Sequence, residues 1–396
     1  MPKPLEHVKV LDLTRVLAGP FCTMLLSDLG AEILKVEMPG KGDDARHFGP
    51  FKGEKSLYFL SLNRGKQSIS LNLKTGKGRE ILRELVKQVD VLVENYRPGT
   101  MEKLGLGYEE LRKLNPKLIY AASSGFGHTG PDSRKPAYDM FVQAMGGMIS
   151  ITGWPDMPPT RVGMSVGDIT ASLFTTVGIC SALYQRETTG EGQKIDVSML
   201  DCQVAILENA LVRYQVDGVP PQPLGNRHPT ISPFQAFKTH DAYLVVAVGN
   251  DILWQKLCAA LDRDDLSQHK LFATNKLRTD NIEQLVPILE EELGRKTCDE
   301  WCHIFEDAGV PYSPINTVDK VMQHPQVLAR NMIVDVPDPD IGTIKVAGNP
   351  IKMTSIEEEP TRKPAPKIGE HNSTILQDYL SYSNEEIEQL KEKGVI

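Results

Sequence analysis

Long apolar runs are missing from this chain: no uncharged stretch reads as the roughly 18 apolar residues that cross a bilayer. The opening, MPKPLEHVKVLDLT, has no apolar core of signal-peptide length after its lysine, so a cytoplasmic address and no membrane partner are expected. Cysteine is sparse as well. Six scattered cysteines in 396 residues exclude a disulfide framework and suit a reducing compartment. Cys298, Cys302 and His303 in TCDEWCH place two thiols four apart with no second ligand pair, which is the spacing of a helix face, and no metal is expected. Positive charge is in deficit. A formal net charge of -8 argues against nucleic acid as a partner and requires that any anionic ligand be met by local cations. A fixed-period repeat is absent too, which excludes a solenoid.

Three nucleotide and acyl-transfer signatures are also lacking. RVLAGPFCTMLLSDLG follows the first strand without G-x-G-x-x-G, so NAD is not expected even though Glu37 stands where a ribose-binding acid would. The phosphate loop G-x-x-x-x-G-K-[ST] does not occur. G-x-S-x-G is missing, which removes the common serine acyl-transfer arrangement and leaves cysteine and carboxylate as nucleophile classes. Cys180 and Cys202 lie in apolar helical patterns and read as core.

What is present is an ordinary globular composition, 40% hydrophobic and 24% charged, on a chain long enough for two or three domains. The first forty residues spell a βαβ unit: VKVLDLT as a strand, AGPFCTMLLSDLGA as a helix with Pro20 in its first turn, EILKVE as a second strand. The alternation continues through QSISLNLK, a helix opened by Thr75, DVLVEN, GYEELRKL and KLIYAASS. It predicts an α/β, doubly wound parallel sheet. ITASLFTTVGICSALYQRE reads as a buried helix, KIDVSML as a strand and LDCQVAILENALVRYQ as one further helix. The proline-rich VDGVPPQPLGNRHPTISP marks a boundary. Beyond it, FQAFKTHDAYLVVAVGN predicts a hairpin turning at His240 and Asp241, followed by helices of a smaller α+β domain. The expected organisation is 1–220, then 221–325, then a C-terminal segment 326–396.

A parallel sheet binds ligands beyond the carboxyl ends of its strands. Those loops here are TRVLAGP, VEMPGKGD, LKTGKG, ENYRPGT and SSGFGHTGP. Four of the five are rich in glycine or proline, and most offer a basic residue, Arg15, Lys41, Lys74, Lys77 or Arg97, which makes a cradle for an anionic, nucleotide-like ligand. In VGDITASL, Asp168 is the only charge, beside Gly167, which permits close approach to the backbone. It either caps the helix that follows or is placed for chemistry.

The stretches VKVLDLTRVLAGPFCTMLLSDLGAEILKVE, VENYRPGTMEKLGLGYEEL, PAYD, VGD, TGEGQKIDVSML and GVPYSPIN, in that order over almost the whole chain, resemble the class III CoA-transferases, the group of formyl-CoA transferase and carnitine CoA-transferase. The resemblance implies a Rossmann-like large domain that includes the C-terminal segment, an inserted smaller α+β domain, and an interlocked homodimer. It implies that Asp168 is the nucleophile, that Asp139 orients the site, and that acyl-CoA and small carboxylic acids are the substrates. Carried over by position, the coenzyme A contacts are Val16, Leu17, Ala18, Met38, Leu71, Lys74, Asn95, Tyr96, Arg97 and Lys103, with Lys135 near the pyrophosphate. Met38 stands where relatives can carry arginine. The long glycine-rich lid loop of formyl-CoA transferase is here the short VAVGNDILW, with Gly249 and Asn250.

The same fold includes α-methylacyl-CoA racemase, whose histidine precedes the aspartate of an AGHD-like motif. This chain reads PAYD, and Tyr138, with a reference pKa near 10, is a poor base at neutral pH. CoA transfer is therefore expected over racemisation, and the intact Asp168 argues against an inactive CoA-binding regulator. For substrates, the resemblance leans towards succinyl-CoA and a short dicarboxylate such as glutarate or oxalate, with Arg161, Arg227 and His228 as candidates for its distal carboxylate.

Overall fold

The computed structural model describes residues 2–396. Contacts group the chain into two units. The first comprises everything up to Met148, Val162–Val212 and Pro325–Ile396; the second comprises Ile149–Arg161 and Arg213–His324.

The first unit is built on six strands: β1 (Lys9–Asp12), β2 (Glu32–Glu37), β3 (Gln67–Ser70), β4 (Val91–Glu94), β5 (Ile119–Ser124) and β6 (Lys194–Ser198). They are parallel throughout and lie in the order β3-β2-β1-β4-β5-β6. This is the Rossmann order, with its topological switch between β1 and β4. Apolar residues on nearly every strand position bury both faces. Val10, Ile33, Val91, Val93 and Ile119 pack on one side with Cys22 and Leu26 of α1 (Ala18–Asp28). Leu11, Leu34, Leu92 and Tyr120 pack on the other with Ile81 and Leu85 of α2 (Gly76–Val86), whose N-terminus is capped by the Thr75 hydroxyl on the Gly78 N–H. The C-terminal segment returns to this second face, where Ile375, Leu376, Ile387 and Leu390 join the same core. Short helices follow at Tyr108–Leu114 (α3) and Asp139–Met145 (α4), and a long one at Val166–Thr189 (α5).

α5 corrects one expectation. It is not buried all round: Ala171, Thr175, Ile179 and Ala182 face the core, while Phe174, Val177 and Tyr184 stand in solvent at 44%, 62% and 79% exposure. The run of small and apolar residues hides two faces of different fate, because hydropathy does not distinguish a core contact from a surface awaiting cover. By length and composition alone α5 is long and apolar enough to cross a membrane, contrary to the expectation that no stretch is. Serine and threonine interrupt its apolar residues, and its inner face packs on the sheet core.

A second correction concerns LDCQVAILENALVRYQ. It forms two helices, α6 (Met199–Ala205) and α7 (Ala210–Asp217), broken where Glu208 takes a left-handed backbone with φ 54°. Leu207 and Ala210 on either side of the break are both buried, so the hydrophobic pattern runs through without signalling the turn.

The second unit holds a three-stranded antiparallel sheet. The hairpin of β7 (Phe234–Lys238) and β8 (Tyr243–Ala247) turns through His240 and Asp241, and β9 (Tyr312–Pro314) pairs on the far side of β8. Phe237, Leu244 and Val246 pack under Trp254 and Leu257 of α8 (Asp251–Ala260), Leu285 and Leu289 of α9 (Ile282–Leu293), and Trp301 and Phe305 of α10 (Cys298–Ala308). Residues 149–161 and 213–220 belong here rather than with the first unit. The Gly225 N–H donates to the Gly153 carbonyl at 2.7 Å, and Gly225 lies against the Trp154 ring so closely that a Cβ would sit 2.5 Å from it. That contact joins residues some seventy positions apart, which no local pattern reveals. Back in the first unit, MIVDVP and GTIKVAG form the antiparallel pair β10 (Ile333–Val336) and β11 (Ile344–Ala347).

Candidate active site

The crevice at the switch point is where the expected residues meet. Asp168 lines a cavity of about 220 Å³ together with Arg15, Val16, Leu17 and Ala18 after β1, Asn95, Tyr96 and Arg97 after β4, and Lys135, Tyr138 and Asp139. The loops after β1 and β4 are tied to each other: the Arg15 N–H donates to Asn95 Oδ1 at 2.9 Å and Asn95 Nδ2 donates to the Arg15 carbonyl at 2.8 Å. Met38, Leu71, Lys74 and Lys103 line a second, largely apolar hollow of about 330 Å³. Tyr96 borders both hollows, so they adjoin. A larger hollow, about 730 Å³, lies at the amino ends of β2 and β3. Its Arg64 and Asp28 are already paired at 2.8 Å.

The capping question about Asp168 has a geometric answer. It occupies the third position of α5, after Ser165, Val166 and Gly167, and its carboxylate accepts no hydrogen bond among the described residues. A helix N-terminus favours negative charge. Burial and the neighbouring Asp139 charge outweigh that here and raise the Asp168 pKa to about 7. Asp139 in turn accepts the Gly167 N–H on Oδ1 at 2.8 Å and Gln143 Nε2 on Oδ2 at 2.7 Å, while Gln143 Oε1 accepts the Val162 N–H at 3.0 Å. Asp139 and Gln143, one turn apart on α4, thereby clamp the segment that delivers Asp168. Gly167 allows this because a Cβ there would sit 2.7 Å from Val142 Cγ2 and 3.0 Å from Asp139 Oδ1. Ser172, one turn beyond Asp168, donates to the Ala18 carbonyl at 2.6 Å and joins α5 to the first turn of α1.

The cations divide into two groups. Arg15 and Lys41 share Asp44 at 3.1 and 2.8 Å, Lys77 pairs with Glu80 at 2.8 Å and Lys135 with Asp132 at 2.7 Å. Lys74, Arg97 and Lys103 meet no carboxylate in an ion pair among the described residues. Glu37, by contrast, is consumed: Arg46 donates to it through Nε and Nη2, each at 2.7 Å, and Ser68 donates to it at 2.7 Å.

A profile of CoA-transferase family III matches residues 5–372. The chain belongs to CoA-transferase family III. It is 45% identical to acetyl-CoA:oxalate CoA-transferase of Acetobacter aceti over 96% of both chains, and 41% identical to succinyl-CoA:glutarate CoA-transferase of Homo sapiens over all of this chain and 90% of that one. Its structure superimposes on a crystal structure of a CAIB/BAIF family protein from Brucella suis with a TM-score of 0.85, at 39% identity, covering 96% of this chain and all of the other.

In this CoA-transferase several residues in or near the site carried no sequence signal, among them Tyr58, Ser123, Ser124 and Glu94. Tyr58 has its pKa pushed up to about 12 by burial and then by the Asp168 charge, which leaves a neutral phenol near the carboxylate. Ser123 and Ser124, at the end of β5, line the Asp168 cavity with hydroxyls that have no partner among the described residues. Glu94, raised to about 7 by burial, accepts the Tyr96 N–H at 2.7 Å and so holds the loop after β4. Tyr138 is 69% exposed and packs edge-on against Phe141 with ring centres 5.6 Å apart. Gly249, Arg161, Arg227 and His228 lie in the second unit. His228 spends Nδ1 on the N–H groups of Thr230 and Ile231, at 3.2 and 3.1 Å, and shapes its own loop. Burial raises the thiol pKa values of Cys180 and Cys202, which leaves them poor nucleophiles.

Proposed function

We propose that this enzyme moves coenzyme A from succinyl-CoA, or a similar acyl-CoA, to a short dicarboxylate through covalent intermediates on Asp168. The observation that carries the reading is a half-buried carboxylate, unpaired and raised to about 7, in a cavity bordered by the two loops of the switch point. A paired or solvated aspartate would be stabilised as the anion and would be a weaker nucleophile. The oxalate and glutarate named for the two similar enzymes support a dicarboxylate acceptor.

In the proposed sequence an Asp168 oxygen attacks the thioester carbonyl, the C–S bond breaks, and an acyl-aspartyl anhydride and CoA thiolate result. The thiolate attacks the aspartyl carbonyl and releases the donor carboxylate, leaving an aspartyl-CoA thioester. The acceptor carboxylate attacks that thioester and expels the thiolate again. The thiolate then takes the acceptor acyl group and frees Asp168. One thioester is exchanged for another, so no ATP enters.

Each tetrahedral oxyanion needs donors. The N–H groups of Leu17 and Ala18, at the first turn of α1, have no partner among the described residues and border the site. The hollow of Met38, Leu71 and Lys74 suits the adenine. Lys74, Arg97 and Lys103, the unpaired cations, suit the phosphates, with Lys135 in support. Asp139 and Tyr138 support the site. The exposed apolar face of α5 supports a homodimer, for which interlocking is the family expectation, and six free thiols support a cytoplasmic address.

A CoA-exchange assay tests the reading. Succinyl-CoA with glutarate or oxalate gives equal amounts of the new thioester and free succinate without ATP, and Asp168→Asn abolishes the exchange. Monocarboxylate acceptors alone would overturn the substrate assignment. Binding of CoA with no turnover on any acid would return the chain to a regulator.

A further inference from the structure

The loop that carries Val16 between β1 and α1 is in an unusual conformation. Val16 has φ 68°, a left-handed backbone that a β-branched residue adopts only under constraint. Its neighbours show the constraint. Thr14 is fixed by Asp12, which accepts its N–H at 2.9 Å, and by Lys35, whose Nζ donates to the Thr14 carbonyl at 2.9 Å. Arg15 is fixed by Asn95. Val16 itself donates its N–H to Asp43 Oδ1 at 3.0 Å, and Asp43 Oδ2 pairs with the same Lys35 at 2.9 Å. Asp43 is anchored in turn, because its own N–H donates to Glu37 Oε2 at 3.0 Å. Lys35, Asp43 and Asp12 are all buried, so these contacts are shielded from water.

We infer that Asp43 is a positioning residue for the CoA-transfer reaction: backed by Lys35, it holds Val16 left-handed so that the first turn of α1 faces Asp168. The inference rests on the proposed covalent role of Asp168. A left-handed residue at 16 sets the angle at which the chain leaves β1 and enters α1. The unpartnered N–H groups of Leu17 and Ala18 border the Asp168 cavity because of that angle. Asp43 also accepts the Ala45 N–H at 2.9 Å and caps the short turn Asp44–His47. A purely structural role would reside in that cap and in neutralising Lys35. It would have no reason to depend on the side chain at position 16.

The dependence on residue 16 is the test. Asp43→Ala lowers kcat about ten-fold, the order of the left-handed penalty for a non-glycine residue, while KM for the acyl-CoA changes far less. Adding Val16→Gly restores most of the lost kcat, because glycine takes this backbone without a Cβ clash. Amide hydrogen exchange at residues 15–18 quickens in Asp43→Ala. Unchanged kcat in Asp43→Ala, or no recovery in the double variant, overturns the inference. Should loss of the Lys35 partner unfold Asp43→Ala, Val16→Pro decides. It forbids the left-handed backbone and removes the N–H that Asp43 accepts while leaving the Asp43–Lys35 pair and the Ala45 cap in place, so in protein shown to be folded by circular dichroism it loses kcat; retained kcat overturns the inference. A wild-type enzyme inactive on every acid pair would instead refute the CoA-transfer reading. The clamp then stands or falls on whether exchange at Val16 responds to Asp43→Ala.

Discussion

Burial and the Asp139 charge both favour the protonated form of Asp168, whose pKa stands at about 7. Two outcomes follow at the residue scale. If the attacking group is the Asp168 anion, kcat/KM rises with pH through about 7 and levels above it. Glu94 titrates in the same range, so the limb is assigned by a variant. Asp139→Asn removes the like charge and moves the limb to lower pH, whereas a limb that stays in place would belong to another group. The second outcome concerns stability. The folded state holds the Asp168 proton more tightly than the unfolded chain, so stability is full below the ordinary aspartate range and falls as pH rises towards 7. Asp168→Asn escapes this cost. Thermal melts should show it more stable than wild type at pH 8, on the order of 1–3 kcal/mol, with the difference vanishing near pH 4. An advantage independent of pH would contradict the assignment.

At the scale of elements, the site is the meeting of α4, α5 and α1, and their spacing is set by small contacts. Gly167→Ala places a methyl against Val142, which is fully buried, and against Asp139 Oδ1. The expected result is a loss of about 1–3 kcal/mol in denaturant unfolding, as for overpacked cores, together with reduced kcat as Asp139 releases the α5 segment. A fully active, fully stable variant would mean that the clamp has slack. Much of this level was legible in the sequence. Thr75 announced its helix, the alternation of strands and helices announced the sheet, and the small run after Val166 announced α5. The misses share a cause. The break at Glu208, the outward face of α5 and the crossing of residues 149–161 to the second unit depend on contacts distant in sequence, where hydropathy is silent. At the candidate site, the sequence singled out Asp168 as a lone charge and the loops after the strands, and the fold brings these together in one cavity, whereas Asp43 and Tyr58 gave no signal, because a buried charge and a neighbouring phenol leave no spacing to read.

For the whole molecule, three exposed apolar side chains on one face of α5, Phe174, Val177 and Tyr184, are costly for a lone chain in water. Val177→Asp with Tyr184→Glu should convert a dimer to monomers in sedimentation velocity; a wild-type protein that sediments as a monomer would contradict the proposed homodimer. The proposed mechanism places its own demand on the whole enzyme, since in it every turnover passes its acyl group and its thiol through one carboxylate. The direct test is to incubate the enzyme with succinyl-CoA, trap with hydroxylamine or borohydride, and locate the modification by mass spectrometry. The expected result is a succinyl-CoA-dependent adduct or reduction at Asp168 alone, lost in Asp168→Asn. An unmodified Asp168, with deuterium exchange at the α-carbon of a branched acyl-CoA instead, would contradict it.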